Sequence, residues 1–350
     1  MHNLILSGGG VRGLCHLGAI KALEEYNLLK DIKNYAGTSI GSIIAFLLSI
    51  GFTYTDLMLI FLNIDVNKFY DVSDIFDFFD KYGLFSYNPT ERCIKLLLSM
   101  KLPQKNITFT ELYKSTNKTL NIVSVNVSTG KESVFNYINT PNVNVIDAII
   151  ASCSIPFLFP PKKINGHYYV DAFIVNNFPC SVFCDDMENS IGISIMGGGF
   201  DEAYIDTEIN SFQDYVLNLF LSFKPCITQN IKPKFNILLN SSCNPINTDI
   251  TKDEKIELFK NAYIETLEII KKQLEQSEQQ KDKPHEEKTD NQDEVNEEKQ
   301  DEENKIQDEV KKVDKQDEEN KIQDEVKEVD KQDEENKIQD EVKWGEIKIE

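Results

Sequence analysis

The sequence predicts an α/β protein: a three-layer α/β/α sandwich around a mostly parallel central sheet, followed by an acidic tail. Three observations carry this. Strand-like and helix-like segments alternate over the first 275 residues, a pattern that buries apolar helix stripes on the faces of one sheet. Two glycine-rich turns, at 8–13 and 37–41, each sit between an apparent strand and an apparent helix. From residue 276 onward the composition becomes low in complexity, which divides the chain into a folded unit, 1–275, and a tail, 276–350.

Taken in order, 4–6 is strand-like, and Leu17, Ile20, Ala22, Leu23 and Leu28 give the following helix an apolar face. Tyr35 and Ala36 form a second strand entering Gly37, and 40–50 is a buried helix. The apolar run 40–52 falls short of the roughly 20 residues a membrane span needs, so contact with lipid is expected to be peripheral. Strands are predicted at 120–127, 133–137, 168–171, 191–196 and 235–239, where β-branched and aromatic residues cluster. Helices are predicted at 89–100, 143–154 and 252–274.

The tail carries a 16-residue unit repeated from Lys299, Lys315 and Lys331. Each copy offers only an Ile and one or two Val, too little for a stacked solenoid. On a straight helix, 16 residues would turn that patch by about 160° per copy, so no seam forms and the tail is expected to be disordered. From Lys281 to Glu350 there are 28 Asp or Glu against 14 Lys or Arg, leaving about −7 of the total −21 for the folded part. That sign repels nucleic acid and disfavours anionic membranes. The seven cysteines (15, 93, 153, 180, 184, 226 and 243) have no paired spacing and read as reduced thiols, neither disulfide framework nor zinc site. The 4–6 strand is too short for a secretory signal, which points to a cytoplasmic location. No loop of oxygen ligands is spaced for calcium, and no metal or cofactor is expected.

GGGVRG, at 8–13, joins strand to helix and can aim several backbone N–H groups at one point beside a helix N-terminus, an anion hole. Gly8, Gly10 and Gly13 also fit a dinucleotide fingerprint, but the acidic residue at the right distance, Asp31, precedes the second strand instead of closing it. GTSIG, at 37–41, is a GxSxG sequence in which Gly37 and Gly41 relieve a tight turn and push Ser39 up and out. A serine hydroxyl needs a base. Of four histidines, His2 precedes the first strand, His16 lies on the first helix as a packed residue, His167 reads as a strand residue and His285 is in the tail, so no Ser, acid, His order can be assembled. A strand ending at Asp171 supplies a carboxylate that burial would make more basic.

Together GGGVRG, GTSIG and the DA segment at 171–172 resemble the patatin-like phospholipase family, over roughly residues 4–239. The resemblance implies an oxyanion hole from Gly8, Gly9, Gly10, Arg12 and Gly13, a nucleophile at Ser39 and a sole partner at Asp171. It further implies a lipid acyl hydrolase of phospholipase A type, acting on lipid acyl esters at a membrane or lipid-aggregate surface. The segment ASCSIPFLFPP, at 151–161, also looks like the family. Ala172 stands where the family usually has Gly, a departure that would matter if that position required a positive φ. Two other readings share these motifs: an acyltransferase using the same acyl-enzyme, and a catalytically impaired lipid-binding or scaffold protein. An aromatic and acidic stretch (Asp71, Asp74, Phe76, Phe78, Phe79, Tyr82, Leu84, Phe85) reads as core packing, or else as a cap on an acyl channel or a contact with lipid, and GGGF at 197–200 as a loop.

Overall fold

A computed structural model describes residues 1–70, 77–196 and 232–281. The expected loop at 197–200, the residues Asp71, Asp74 and Phe76, Cys226, His285 and the repeats lie outside the described residues. In chain order the elements are β1 (Asn3–Leu6), α1 (Gly13–Glu25), β2 (Asn34–Thr38), α2 (Ile40–Ser49), α3 (Tyr54–Asn63), α4 (Asp77–Lys81), α5 (Asn88–Lys101) and α6 (Phe109–Thr116). They continue with β3 (Thr119–Asn126), β4 (Lys131–Phe135), α7 (Val145–Cys153), β5 (Lys162–Ile164), β6 (His167–Asp171), β7 (Ser190–Met196), β8 (Phe235–Asn240) and α8 (Lys252–Lys281).

The eight strands form one sheet in the order β5-β6-β3-β2-β1-β7-β8, with β4 also paired to β3. The run β3-β2-β1-β7-β8 is parallel, and β4, β5 and β6 are antiparallel to their neighbours. Strands β1 and β7 are buried along almost their whole length, as fits parallel strands covered on both faces. Helix α2 is buried at eight of its ten positions, the behaviour its unbroken apolar sequence requires. Helices α3 and α6 start at capping boxes, Thr53 with Asp56 and Thr108 with Glu111, whose side chains and amides bond reciprocally. No described helix is long and apolar enough to cross a membrane.

The register of β3 decides where the functional residues meet. On one edge β3 pairs with β4 from Ile122 to Asn126, Val123 facing Val134 and Ser124 facing Ser133. The other edge is shared. Parallel β2 occupies it as far as Thr38 opposite Val123, and antiparallel β6, arriving from the other direction, ends on it with Asp171 opposite Ser124. The last residues of β2 and β6 therefore meet tip to tip, and Ser39, the residue after β2, faces Asp171.

Expected and observed elements differ in detail. The strand expected at 133–137 is β4, displaced to Lys131–Phe135, because the Asn136 side chain accepts from the amides of Ile138 (3.0 Å) and Asn139 (2.7 Å) and turns the chain away. Helix α7 begins at Val145 because the Asn144 side chain caps it, accepting from Ile146 N–H at 2.8 Å.

Gly41, the second residue of α2, lies against β1: a Cβ there would sit 2.5 Å from the carbonyl oxygens of both Leu6 and Ser7. Backbone oxygens in a buried sheet cannot move aside, so Gly41→Ala should destabilise the protein by about 1–3 kcal/mol, measured by urea denaturation against the wild type.

Candidate active site

Ser39 stands in the tight turn between β2 and α2 with φ 53° and ψ −127°, a conformation a non-glycine residue rarely holds. Such a backbone costs on the order of 1–3 kcal/mol and persists only where its surroundings enforce it. Here they are identifiable. The Ser39 N–H donates to Ser152 Oγ at 2.9 Å, and that hydroxyl donates in turn to the Val123 carbonyl at 2.6 Å. The Ser39 carbonyl accepts from Ser42 N–H at 2.8 Å and from Ser42 Oγ at 2.6 Å. The elbow is thus tied to β3 through α7 and to the first turn of α2. Gly37 and Gly41 pack backbone to backbone beneath it.

Asp171 ends β6 and is buried. Its backbone N–H donates to the Ser154 carbonyl at 2.9 Å, so the end of α7 holds both Ser39 and Asp171. Asp171 Oδ1 accepts from Phe173 N–H at 2.9 Å, while Oδ2 completes no hydrogen bond. Burial pushes the carboxyl up to about 7, against the opposing pull of the Ser39 hydroxyl and the Phe173 amide. Ala172 has no positive φ, and its buried methyl packs with Val123, Val125 and Val170, so the sequence position that departs from the family pattern is filled without strain.

The glycine loop turns beside this pair. A Cβ built on Gly8 would lie 3.3 Å from Ser39 Cβ. Its amide is already engaged, donating to the Asn177 carbonyl at 3.0 Å, which removes Gly8 from the set of free donors the sequence implied. The amides of Arg12 and Gly13 are used within the loop, on the carbonyls of Gly9 and Gly10. Those of Gly9 and Gly10 donate to no group among the described residues. Their direction follows from peptide geometry, because N–H and C=O of a trans peptide point opposite ways. The Gly9 carbonyl accepts from Arg12 N–H and Arg12 Nε, both at 3.2 Å, which turns the Gly10 N–H away from Arg12. The Gly8 carbonyl accepts from Ser7 Oγ (3.1 Å) and Asn177 Nδ2 (3.4 Å), which aims the Gly9 N–H oppositely. The fully buried Arg12 thus holds the loop from behind, through the Gly9 carbonyl. Gly10 takes φ 57°, and a side chain there would collide with the Pro245 carbonyl.

The histidines stand apart from this chemistry. His16 is buried, its Nε2 2.8 Å from the Ser7 carbonyl, and burial lowers its pKa to about 4. It is therefore neutral, with the proton on Nε2. His167 is exposed at the start of β6, the end opposite Asp171. Cys153 lies beside Ser39, and burial followed by the Asp171 charge raises its thiol pKa, so it stays protonated. Among the described residues no three His, Cys, Asp or Glu side chains gather as a metal site.

Ser39 and Gly10 open onto a cavity of about 200 Å³ whose walls are overwhelmingly apolar, with Ile43, Leu47, Phe61, Ile94, Leu97 and Phe159 among them. Sequence reasoning missed Ser152, Asn177 and this cavity. Asn177 lies in the Asn-Asn-Phe-Pro sequence at 176–179, and its contact with Gly8 spans 169 residues of sequence and leaves no local trace.

A strained serine elbow faces a buried carboxyl with a glycine loop at its side, and residues 4–183 match the sequence pattern of the patatin-like phospholipase family. The chain belongs to that family. It is 30% identical over 270 residues to an uncharacterized protein of Acanthamoeba polyphaga mimivirus, covering 75% of this chain and 89% of that one. It is likewise 30% identical over 278 residues to a probable lipid hydrolase of Invertebrate iridescent virus 6, covering 77% and 89%. A triacylglycerol lipase of Schizosaccharomyces pombe is 32% identical over 167 residues, 45% of this chain and 33% of the lipase. Among solved structures, VipD from Legionella pneumophila shares the fold with a TM-score of 0.54 at 17% identity, covering 78% of this chain and 67% of that chain.

The raised carboxyl has a stability consequence whose sign is fixed. Between its unfolded value of 3.8 and its folded value of about 7, the native state holds the proton that the unfolded chain releases, so stability falls as pH rises through this window. Asp171→Asn removes the penalty of a buried charge. The variant should be more stable than the wild type at pH 8, on the order of a few kcal/mol, with the gap closing toward pH 4. Thermal melts across that range check it.

Proposed function

We propose that the protein hydrolyses fatty-acyl esters of lipids through a covalent acyl-enzyme on Ser39, with Asp171 as its base. The reading rests above all on the meeting of Ser39, which lines an apolar cavity, with the buried Asp171 on one edge of β3, while His167 lies at the far end of β6. In the first step Ser39 Oγ attacks the ester carbonyl and its proton passes to Asp171. The carbonyl oxygen gains the negative charge, facing the amides of Gly9 and Gly10, and such donors are typically worth about 2.7–4 kcal/mol each. The C–O bond to the alcohol then breaks and the proton on Asp171 goes to that oxygen. Water, deprotonated by Asp171, attacks the acyl-serine, and its collapse returns the proton to Ser39 Oγ and frees the fatty acid.

A carboxylate with an ordinary pKa is a feeble base toward a serine hydroxyl. Burial of Asp171, which lifts it to about 7, narrows that mismatch near neutral pH. The cavity suits an acyl chain: its mostly apolar walls offer a hydrocarbon many contacts and a polar chain few partners. Relatives named as a probable lipid hydrolase and as triacylglycerol lipases support the ester class. Catalysis in this reading belongs to residues 1–275, with the acidic tail an appendage.

Ser39→Ala should abolish ester hydrolysis and fluorophosphonate labelling while leaving the circular dichroism spectrum unchanged; labelling at wild-type rate would overturn the assignment. Asp171→Asn should lower kcat by a factor of about 10²–10⁴ or more, the range typical of losing a general base. His167→Ala should hydrolyse at the wild-type rate. The wild-type kcat/KM should rise with pH and level off above about 7 as Asp171 loses its proton. A chain ending at Lys281, the last residue of α8, should retain full hydrolysis of a soluble ester; its inactivity would give the tail a role in catalysis.

A further inference from the structure

The chain bears an exposed aromatic patch beside the cavity. Phe79 on α4 is 76% exposed and Tyr82, just after it, 59%. Phe157 and Tyr168 are also exposed, as is Val127. These residues are contiguous through the backbone. Gly83 forms a β-bridge with Phe157, and Leu84 N–H donates to the Phe157 carbonyl at 3.1 Å. Tyr82 and Tyr168 line one shallow cleft, and Val127 N–H donates to the Tyr168 carbonyl at 2.9 Å.

Two of these aromatics hold left-handed backbones, Tyr82 at φ 63° and Phe157 at φ 66°. For bulky residues that is unusual and costly, and where it occurs it commonly serves function. The same two segments also build the cavity. After Phe157 the chain turns inward, Leu158 entering the core and Phe159 lining the cavity; after Tyr82, Phe85 is buried and Tyr87 lines both the cavity and the outer cleft. One thin wall therefore has aromatic side chains facing solvent and the acyl cavity behind it.

We propose that this face docks on a lipid surface, with Phe79, Tyr82, Phe157 and Tyr168 entering the boundary between headgroups and acyl chains. This inference rests on the lipid acyl-ester reading given above. The occupant is argued from what lies behind the patch: a long-chain ester reaching an apolar cavity must leave an aggregate, and the patch shares the cavity's wall. The side chains have the right chemistry. Tyrosine and phenylalanine suit an interface that is apolar on one side and wet on the other. At the edge of the patch Lys163, which is exposed, lies over the Tyr168 ring at 5.4 Å, whereas Lys162, over Tyr87 at 4.9 Å, is held by Asp147 at 2.7 Å. With a formal net charge of −21 on the whole chain, the surface that suits it is zwitterionic.

The test uses the full chain carrying Ser39→Ala, so that binding is read independently of catalysis, and sedimentation with phosphatidylcholine vesicles. Adding Phe79→Ser, Tyr82→Ser and Tyr168→Ser should lower the bound fraction by roughly tenfold or more, given the apolar area each ring withdraws from water. In the Ser39 background the same triple variant should lose activity on vesicle-embedded ester to a similar degree and keep wild-type turnover of a soluble short-chain ester. Equal sedimentation of the two proteins would overturn the proposal. So would a wild type that stays in the supernatant as a dimer that the triple variant dissociates, which would make the patch a self-association face. Loss of soluble-ester turnover in step with vesicle activity would also overturn it, since the rings would then act through the cavity. Failure of the catalytic reading leaves the sedimentation result standing, so the two are separable.

Discussion

One edge of β3 serves two strands, and the site depends on that sharing. Had β2 run one residue further along it, the end of β6 would have been displaced and Asp171 carried away from Ser39. The arrangement is enforced locally. Ser124 Oγ donates to the Val170 carbonyl at 2.7 Å, fixing β6 in register, and Thr38 Oγ1 donates to the Asn176 carbonyl at 3.1 Å, tying the end of β2 to the chain that follows Asp171. Ser152 and Ser154 at the end of α7 then hold the two tips from the same side. Small hydroxyls, each hydrogen-bonded and buried, thus do what a larger polar network does elsewhere.

The electrostatics follow from the same burial. A histidine base would need a partner to orient it and would bring a second charge into the core. Here the serine has beside it the Cys153 thiol, which stays protonated, and a carboxyl whose own desolvation raises its basicity. The nearby imidazole of His16 is neutral and spent on the Ser7 carbonyl. Arg12, the cation closest to the loop, is turned to the Gly9 carbonyl and shapes the loop's peptide planes.

What the sequence disclosed was local. The GTSIG turn is legible because its strand, serine and helix are contiguous, and the parallel α/β order follows from alternation of short apolar segments. The carboxyl could be named from a strand end and a family resemblance, but its encounter with Ser39 across 132 positions depends on register, which no segment encodes by itself. Gly8 looked equivalent to Gly9 and Gly10, and only the distant Asn177 carbonyl sets it apart. Helices α3 and α6 were overlooked although each opens with a capping box, Thr53 with Asp56 and Thr108 with Glu111, a signal that was present in the sequence and went unread.

Lys255 extends the argument to synthesis. Its buried amine donates to the carbonyls of Phe61 (3.1 Å), Leu62 (3.4 Å) and Ile64 at the end of α3, and its side chain lines the acyl cavity. Ser39 emerges from the ribosome early, whereas the residue that fastens this wall belongs to α8, the last of the described helices, which also packs along α1. A growing chain therefore carries Ser39 long before the cavity wall is fastened, and under the proposed mechanism the capacity to attack lipid arrives only when α8 closes over α1.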